Sequence, residues 1–159
     1  MYELIDSLQE SEDYYYIDYI PYTTYDSEYL ELEEYFIKTY LESFSKKISR
    51  IMLKLIYYYP CEIYLTEPSR RKIPNDFNFF FNTNIRKNTP DRLSYAIRQI
   101  ILNDFSSINI LFTEPIFLIT IEGEFAVTIY NAPDKSVQLL NQLVQQEGLF
   151  LKKHNWNNK

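Results

Sequence analysis

The chain has 159 residues, 46% of them apolar and 24% charged, and a formal net charge of −6, which is typical of one globular domain. No apolar run approaches the roughly 20 residues that a membrane-spanning helix needs, and a single cysteine excludes an internal disulfide. The first residues lack the basic and apolar regions of a secretory signal. We therefore expect a single domain over residues 1–159, located in the cytoplasm and not bound to a membrane.

The N-terminal half predicts a short helical turn, a strand and one long helix. Aromatic and β-branched residues favour a strand at 14–20, after a helical turn at 3–9. Ser27 is a favourable N-cap, and no Gly or Pro follows until Pro60. Apolar residues recur at helical spacing in this stretch: Leu30, Ile37, Leu41, Phe44, Ile48, Ile51 and Leu55. We expect a single helix over about 27–59, whose apolar stripe is buried in the core or offered to a partner helix.

The C-terminal half predicts alternating short elements. A strand at 61–66 and a polar loop at 67–89 precede Thr89-Pro90, which is a favourable helix start. The apolar period then changes to two, which predicts three strands at 108–112, 117–122 and 125–130. Pro133 opens a last helix, Gly148 has the place of a C′ glycine, and an edge strand at 149–153 precedes a polar tail at 154–159.

Together these elements predict an α+β fold. We expect an antiparallel sheet of about four to five strands, with a long N-terminal helix and two shorter helices packed against one face of it.

Charge and tyrosine are distributed unevenly along the chain. Residues 1–37, here called the acidic segment, contain eleven acids, nine of the sixteen tyrosines and no Lys or Arg, so they carry −11. Residues 38–159 carry the other eleven acids and all sixteen bases, which leaves +5. Either the acidic segment packs on the basic remainder of its own fold, or it is displayed and steers a basic partner while its tyrosines supply contact area.

The second interpretation places a partner-binding surface in the most tyrosine-rich part, residues 1–26. The predicted partner-binding residues are Glu12, Asp13, Tyr14, Tyr16, Asp18, Tyr19 and Tyr22.

Residues for catalysis, metal binding or cofactor binding are scarce. Cys61 and His154 are the only residues of their types, too few for a zinc site, and they would form a nucleophile–base pair only if they met in space. Two glycines cannot build a glycine-rich phosphate loop. The paired acids at Glu122 and Glu124 are typical of a solvated turn. We expect no enzyme activity, no metal and no cofactor.

One basic cluster interleaves with phenylalanines: Arg70, Arg71, Lys72, Arg86, Lys87, Arg92 and Arg98 lie near Phe77 and Phe79 to Phe81. Such a cluster can bind single-stranded nucleic acid, or it can hold the chain's own acidic segment. The acidic net charge disfavours nucleic acid, and we expect the phenylalanines to anchor the loop to the core.

The pattern as a whole predicts a protein-binding protein. The favoured hypothesis is an inhibitor of immunity type, which blocks a basic protein such as a nuclease toxin with an acidic, tyrosine-rich surface. The alternative is an adaptor or assembly subunit that docks through an apolar helix face or an edge strand, either with another protein or as a homo-oligomer.

Overall fold

The computed structural model describes residues 1–21, 28–69 and 73–154, which form five α-helices and six β-strands. The helices are α1 (Tyr2–Gln9), α2 (Glu28–Thr39), α3 (Leu41–Tyr58), α4 (Pro90–Asn103) and α5 (Asp134–Gln146). The strands are β1 (Tyr14–Asp18), β2 (Cys61–Leu65), β3 (Ile108–Thr113), β4 (Ile116–Ile121), β5 (Val127–Tyr130) and β6 (Phe150–His154).

All six strands form one antiparallel sheet in the order β2-β3-β4-β5-β1-β6. The predicted α+β class is confirmed, with six strands rather than four to five and five helices rather than three in the described residues. The N-terminal strand β1 lies inside the sheet, where β5 and β6 pair with its two edges. The acidic segment is therefore built into the sheet through β1.

The main hydrophobic core lies on one face of the sheet, which we call the first face. Side chains alternate along a strand, so every second residue of the inner strands points to this core, as Ile110, Ile119 and Ile129 do with 0% exposure. Helices α3, α4 and α5 cover this face with their buried residues, among them Phe44 of α3 and Ile100 of α4.

Helix α1 packs on the opposite, second face of the sheet. Ile5 and Leu8 contact Tyr64, Leu111 and Leu118, which belong to β2, β3 and β4. The expectation that the helices pack against one face is wrong for α1. The physical reason is that these three strands carry apolar or aromatic side chains on both faces. The side chains on the second face are also more stable when removed from water, and α1 covers them.

The predicted long helix is two helices with a break at Tyr40, whose φ of −127° lies outside the helical range. Tyr40 leaves the helical path while its ring packs against Tyr19 and Phe36. The buried stripe belongs to α3, whereas Leu30 of α2 is 65% exposed, so the expectation of one continuous buried stripe is wrong. Ser27, the predicted N-cap, lies outside the described residues.

Local sequence signals correctly located the start of α4, the end of α5 and the bounds of β3 and β4. The Thr89 side chain accepts a hydrogen bond from the Arg92 N–H at the start of α4, with Pro90 in the first helical position. Gly148 follows α5 with a φ of +71°, a conformation that glycine adopts without strain, and the chain then enters β6. The predicted strands 108–112 and 117–122 match β3 and β4 to within one residue at each end, whereas β5 begins two residues later than expected.

Candidate protein-binding surface

The second face of the sheet is divided into two halves. Helix α1 covers the half that lies over β2, β3 and β4, through an apolar contact and through the Gln9 side chain. Gln9 Nε2 donates to Asn109 Oδ1 at 3.2 Å and to Thr120 Oγ1 at 3.0 Å, which satisfies two polar groups beneath the helix. This half is therefore unavailable to a partner.

The other half, over β5, β1 and β6, is half-exposed. Strand register places Tyr130, Tyr14 and His154 side by side in one row and Thr128, Tyr16 and Lys152 in the row two residues further along β1. All six side chains are intermediate in exposure. We call these six residues the tyrosine face.

Ring contacts hold one row of the tyrosine face in place. The rings of Tyr14 and His154 stack with centroids 4.6 Å apart and planes 13° apart, and those of Tyr14 and Tyr130 are tilted at 5.8 Å. Rings that are already packed lose little conformational freedom when a partner covers them, which favours binding. The row is a pre-organised aromatic contact area.

Most acids in the described part of the acidic segment form no salt bridge with another described residue. In the described part of this segment, only Asp18 forms a salt bridge, in which Lys152 Nζ donates to Asp18 Oδ2 at 2.8 Å. The exposed acids there are Glu3, Asp6, Glu10, Glu12, Asp13, Glu31 and Glu34. Among the described residues, this distribution leaves an excess of negative charge around α1 and the start of β1.

Three described members of the basic cluster, Arg86, Arg92 and Arg98, contact neighbouring residues outside the acidic segment. The Arg86 guanidinium lies 4.7 Å from the Tyr57 ring centroid, and that of Arg92 lies 4.7 Å from the Phe79 ring centroid. Arg98 donates to Ser94 Oγ at 3.3 Å. Residues 70–72 lie outside the described part of the chain.

The phenylalanines of the polar loop anchor it to the core, as predicted. Phe77 is buried against Phe105 with ring centroids 4.8 Å apart, and Phe79 and Phe81 pack beside it. Phe80 is the exception, at 81% exposure.

The predicted partner-binding residues have different locations. Glu12 and Asp13 are exposed between α1 and β1, and Tyr14 and Tyr16 belong to the tyrosine face, so these four share one region of the surface. Asp18 points to the same side of β1 but is held by Lys152. Tyr22 lies outside the described residues.

Tyr19 is a core residue. It is 9% exposed, and its ring packs against Phe36 and Phe125, because the chain turns inward after β1. Its predicted role as an exposed contact is not compatible with this burial.

Sequence reasoning missed Tyr130 and His154. Each is more than one hundred residues from Tyr14 and meets it only through strand pairing. Alternation within each strand was the available signal, since it puts Thr128 and Tyr130 on one side of their strand, but it does not say which strands become neighbours.

A cleft adjoins the tyrosine face where β1, α2 and the β4–β5 connection meet. Its volume is about 270 Å³ and its lining residues are Tyr16, Ile17, Asp18, Tyr29, Glu33, Gly123, Glu124, Phe125 and Ala126. We call it the acidic cleft. Burial raises the pKa of the Glu33 carboxyl, and the charges of Glu124 and Asp18 raise it further. The carboxylates therefore repel one another across the cleft.

The residues considered for chemistry do not come together. Cys61 lies in β2 and His154 in β6, the two edge strands, so four strands and about 24 Å separate them at the usual strand spacing. Burial raises the pKa of the Cys61 thiol, which favours its unreactive protonated form. Within residues 1–21, 28–69 and 73–154, no three His, Cys, Asp or Glu side chains are grouped so that they could hold a metal ion.

No protein-family model matches this chain, and no curated protein or solved structure matches it significantly. Among the described residues, no helix combines the length and apolar character needed to cross a bilayer.

Proposed function

We propose that this chain is a non-catalytic, protein-binding inhibitor of immunity type that acts in the cytoplasm. Its acidic, tyrosine-rich surface blocks the functional site of a basic partner, for example a nuclease toxin. The observation that carries the proposal is the tyrosine face, a half-exposed row of packed rings bordered by exposed acids that have no salt bridge in the described part of the chain. Rigid aromatic area surrounded by one sign of charge is suited to steering and then holding a partner of opposite charge.

The partner is a protein rather than a nucleic acid. Phosphate groups are repelled by Glu12 and Asp13, which border the tyrosine face. The described basic residues Arg86, Arg92 and Arg98 contact other parts of the chain.

The alternative, an adaptor that docks through an edge strand, has weaker support. The segment after Asn82 covers the outer edge of β2, where Ile85 N–H donates to Ile63 O and the Asn84 side chain accepts from the Ile63 N–H. At the other edge, β6 carries Lys152 and Lys153, and edge lysines oppose strand addition. The exposed Leu30 and Tyr35 of α2 are the features that favour docking through a helix face.

Association kinetics test the proposal. The first partner to assay is the product of the gene next to the one that encodes this chain. Glu12→Lys and Asp13→Lys, made singly, are expected to slow association about two- to tenfold at low salt, with the effect lost as salt is added. Asp18 is left unchanged because its replacement would also break the contact with Lys152.

The matched control is Glu42→Lys, which changes the net charge equally but lies in α3, on the opposite side of the sheet. Tyr14→Ala and Tyr16→Ala are expected to accelerate dissociation of the complex. An on-rate that is the same for Asp13→Lys and the unaltered chain, together with unchanged dissociation of the tyrosine variants, would refute the proposed surface.

A further inference from the structure

The tyrosine face and the half of the sheet that α1 covers belong to one continuous surface. One row of the tyrosine face continues from Tyr130 to Leu118 and then to Leu111, its neighbours in β4 and β3. Tyr130 also packs against the apolar cluster beneath α1. The other row continues from Thr128 to three further residues, in β4, β3 and β2: Thr120, Asn109 and Tyr64. The second face therefore runs without a break across the six strands, and α1 covers half of it.

Few features of α1 itself hold it in place. Of its eight residues, only Ile5 is buried. Its N-cap, Met1, makes no side-chain capping hydrogen bond, and Asp6 and Glu10 put negative charge near the C-terminal end, where the helix dipole disfavours it. A helix this short is marginal in water unless it packs against something. The small contact with the sheet is therefore what keeps α1 folded.

The sheet surface beneath α1 does not need the helix to pair its polar groups. Besides the apolar contact, α1 is held by side-chain hydrogen bonds of Gln9 and Tyr2. Thr120 Oγ1 also donates to Asn109 Oδ1 at 2.9 Å, so these two buried side chains stay paired when Gln9 leaves them. Residues 10–13, which join α1 to β1, are all exposed. Such a connection can change conformation without disturbing the core, so α1 can leave the sheet as a unit.

We propose that α1 is a releasable cover, and that its detachment extends the tyrosine face by an apolar docking site for a helix of the partner. This inference rests on the proposed function, because the occupant is a segment of the same basic partner. The docked α1 shows what fits there, namely a short helix with apolar side chains at the spacing of Ile5 and Leu8. Basic residues beside those apolar ones complement Glu12 and Asp13, which border the tyrosine face.

In the free chain, the docked α1 competes with the partner. Only molecules whose α1 is released accept the partner's helix, so the apparent affinity is reduced by the fraction that is released. A substitution that loosens α1 but leaves the tyrosine face intact therefore strengthens binding. Loss of a direct contact with the partner has the opposite effect.

Thiol labelling of the full chain with dithionitrobenzoate measures the release of α1. Leu111→Cys puts a thiol beneath α1, whereas Ile110→Cys puts one in the main core, on the first face of the same strand. Both variants also carry Cys61→Ser, which removes the natural thiol. Under native conditions, labelling at position 111 is expected to be about 100-fold or more faster than at position 110, with a rate that does not rise in dilute urea. Ile119→Cys repeats the first-face control in β4.

Two variants of α1 then test its role in binding, with the partner that is assayed under the proposed function. Ile5→Ala removes the buried side chain of α1 and is expected to accelerate labelling at position 111 about tenfold or more. The same change is expected to tighten the complex about fivefold or more, because a larger fraction of molecules is released. Leu4→Ala shortens an exposed side chain of the same helix and should leave both quantities within about threefold.

The outcomes separate this inference from the proposed function. Equal labelling rates at positions 110 and 111 would overturn the inference, because both positions would then be reached only by global unfolding. A complex that is weakened by Ile5→Ala would overturn it as well, since α1 would then be part of the interface and not its cover. In both cases the on-rate measurements with Asp13→Lys still stand, because they concern the tyrosine face and its border. Unaffected on-rates and dissociation rates there would refute the proposed surface, whatever the labelling rates show about α1.

Discussion

Lys152 Nζ lies 2.8 Å from Asp18 Oδ2, and the two side chains are only 13% and 15% exposed. The pair joins β1 to β6 and is the one place where the described acidic segment is neutralised by a basic residue. Charges that are largely removed from water depend on their partners, since removing one leaves the other with the cost of its desolvation.

Replacing Asp18 with Asn is therefore expected to destabilise the fold by about 1 to 2 kcal/mol, because the hydrogen-bonded ion pair between Asp18 and Lys152 is lost. Urea unfolding at neutral pH measures the change. Glu12→Gln removes an exposed acid at the start of the same region and is expected to change the unfolding free energy by less than about 0.5 kcal/mol. Equal stability of the two variants would mean that the Asp18–Lys152 contact contributes nothing.

Gly123 lies beneath the side chain of Asp104, so close that a Cβ atom at position 123 would overlap the Asp104 carboxylate. Gly123→Ala is expected to cost about 2 kcal/mol of stability, since either the turn or α4 has to move. Asp104 has a φ of +50°, so Asp104→Gly removes the carboxylate without straining the backbone.

A double-mutant cycle checks the cause. If the overlap is responsible, Gly123→Ala should cost at least about 1 kcal/mol less when Asp104 is already glycine. If the two substitutions change the free energy of unfolding additively, Gly123 is required for a reason other than contact with Asp104.

Thr89 caps α4 through its side chain, which accepts from the Arg92 N–H at 3.4 Å. Thr89→Ala is expected to cost about 1 kcal/mol in a thermal or urea unfolding experiment, and Thr89→Ser, which keeps the hydroxyl, should recover most of that loss. A serine variant as unstable as the alanine variant would argue that the methyl group of Thr89, not its oxygen, supports the helix.

Features of the fold that depend on nearby residues could be predicted from the sequence. Thr89-Pro90 located the start of α4, alternation located β3 and β4, and Gly148 marked the end of α5. Each of these signals acts over a few residues, so local chemistry is sufficient.

Features that depend on distant partners could not be predicted. The break between α2 and α3 occurs at Tyr40, whose ring contacts that of Tyr19. Helix α1 packs on the second face because Leu111 and Leu118, about a hundred residues further along the chain, point to that face. The composition of the candidate site also depends on residues that are distant in the sequence. Tyr14 and Tyr16 share a side because of strand alternation, but their neighbours Tyr130 and His154 are defined only by sheet order.

Glu33 gives a pH dependence whose sign follows from its position in the acidic cleft. Burial, Glu124 and Asp18 raise the pKa of this carboxyl above its ordinary value of 4.5, so the folded state favours the protonated form. Between pH 4.5 and the raised pKa, the Glu33 carboxyl ionises more readily in the unfolded chain than in the folded one. The free energy of unfolding therefore falls as the pH rises through this range. Below 4.5 the group is protonated in both states and contributes nothing.

Glu33→Gln, which resembles the protonated form, is therefore expected to be more stable than the unaltered chain at pH 7, by about 0.5 kcal/mol after solvent screening is allowed for. The difference should shrink toward zero as the pH falls below 4.5. Urea unfolding of both proteins between about pH 4 and pH 7 measures it, with Glu34→Gln as the control for loss of one charge from the same helix. A glutamine variant that is less stable at pH 7 would show that the Glu33 carboxylate is held by a favourable contact, contrary to its raised pKa.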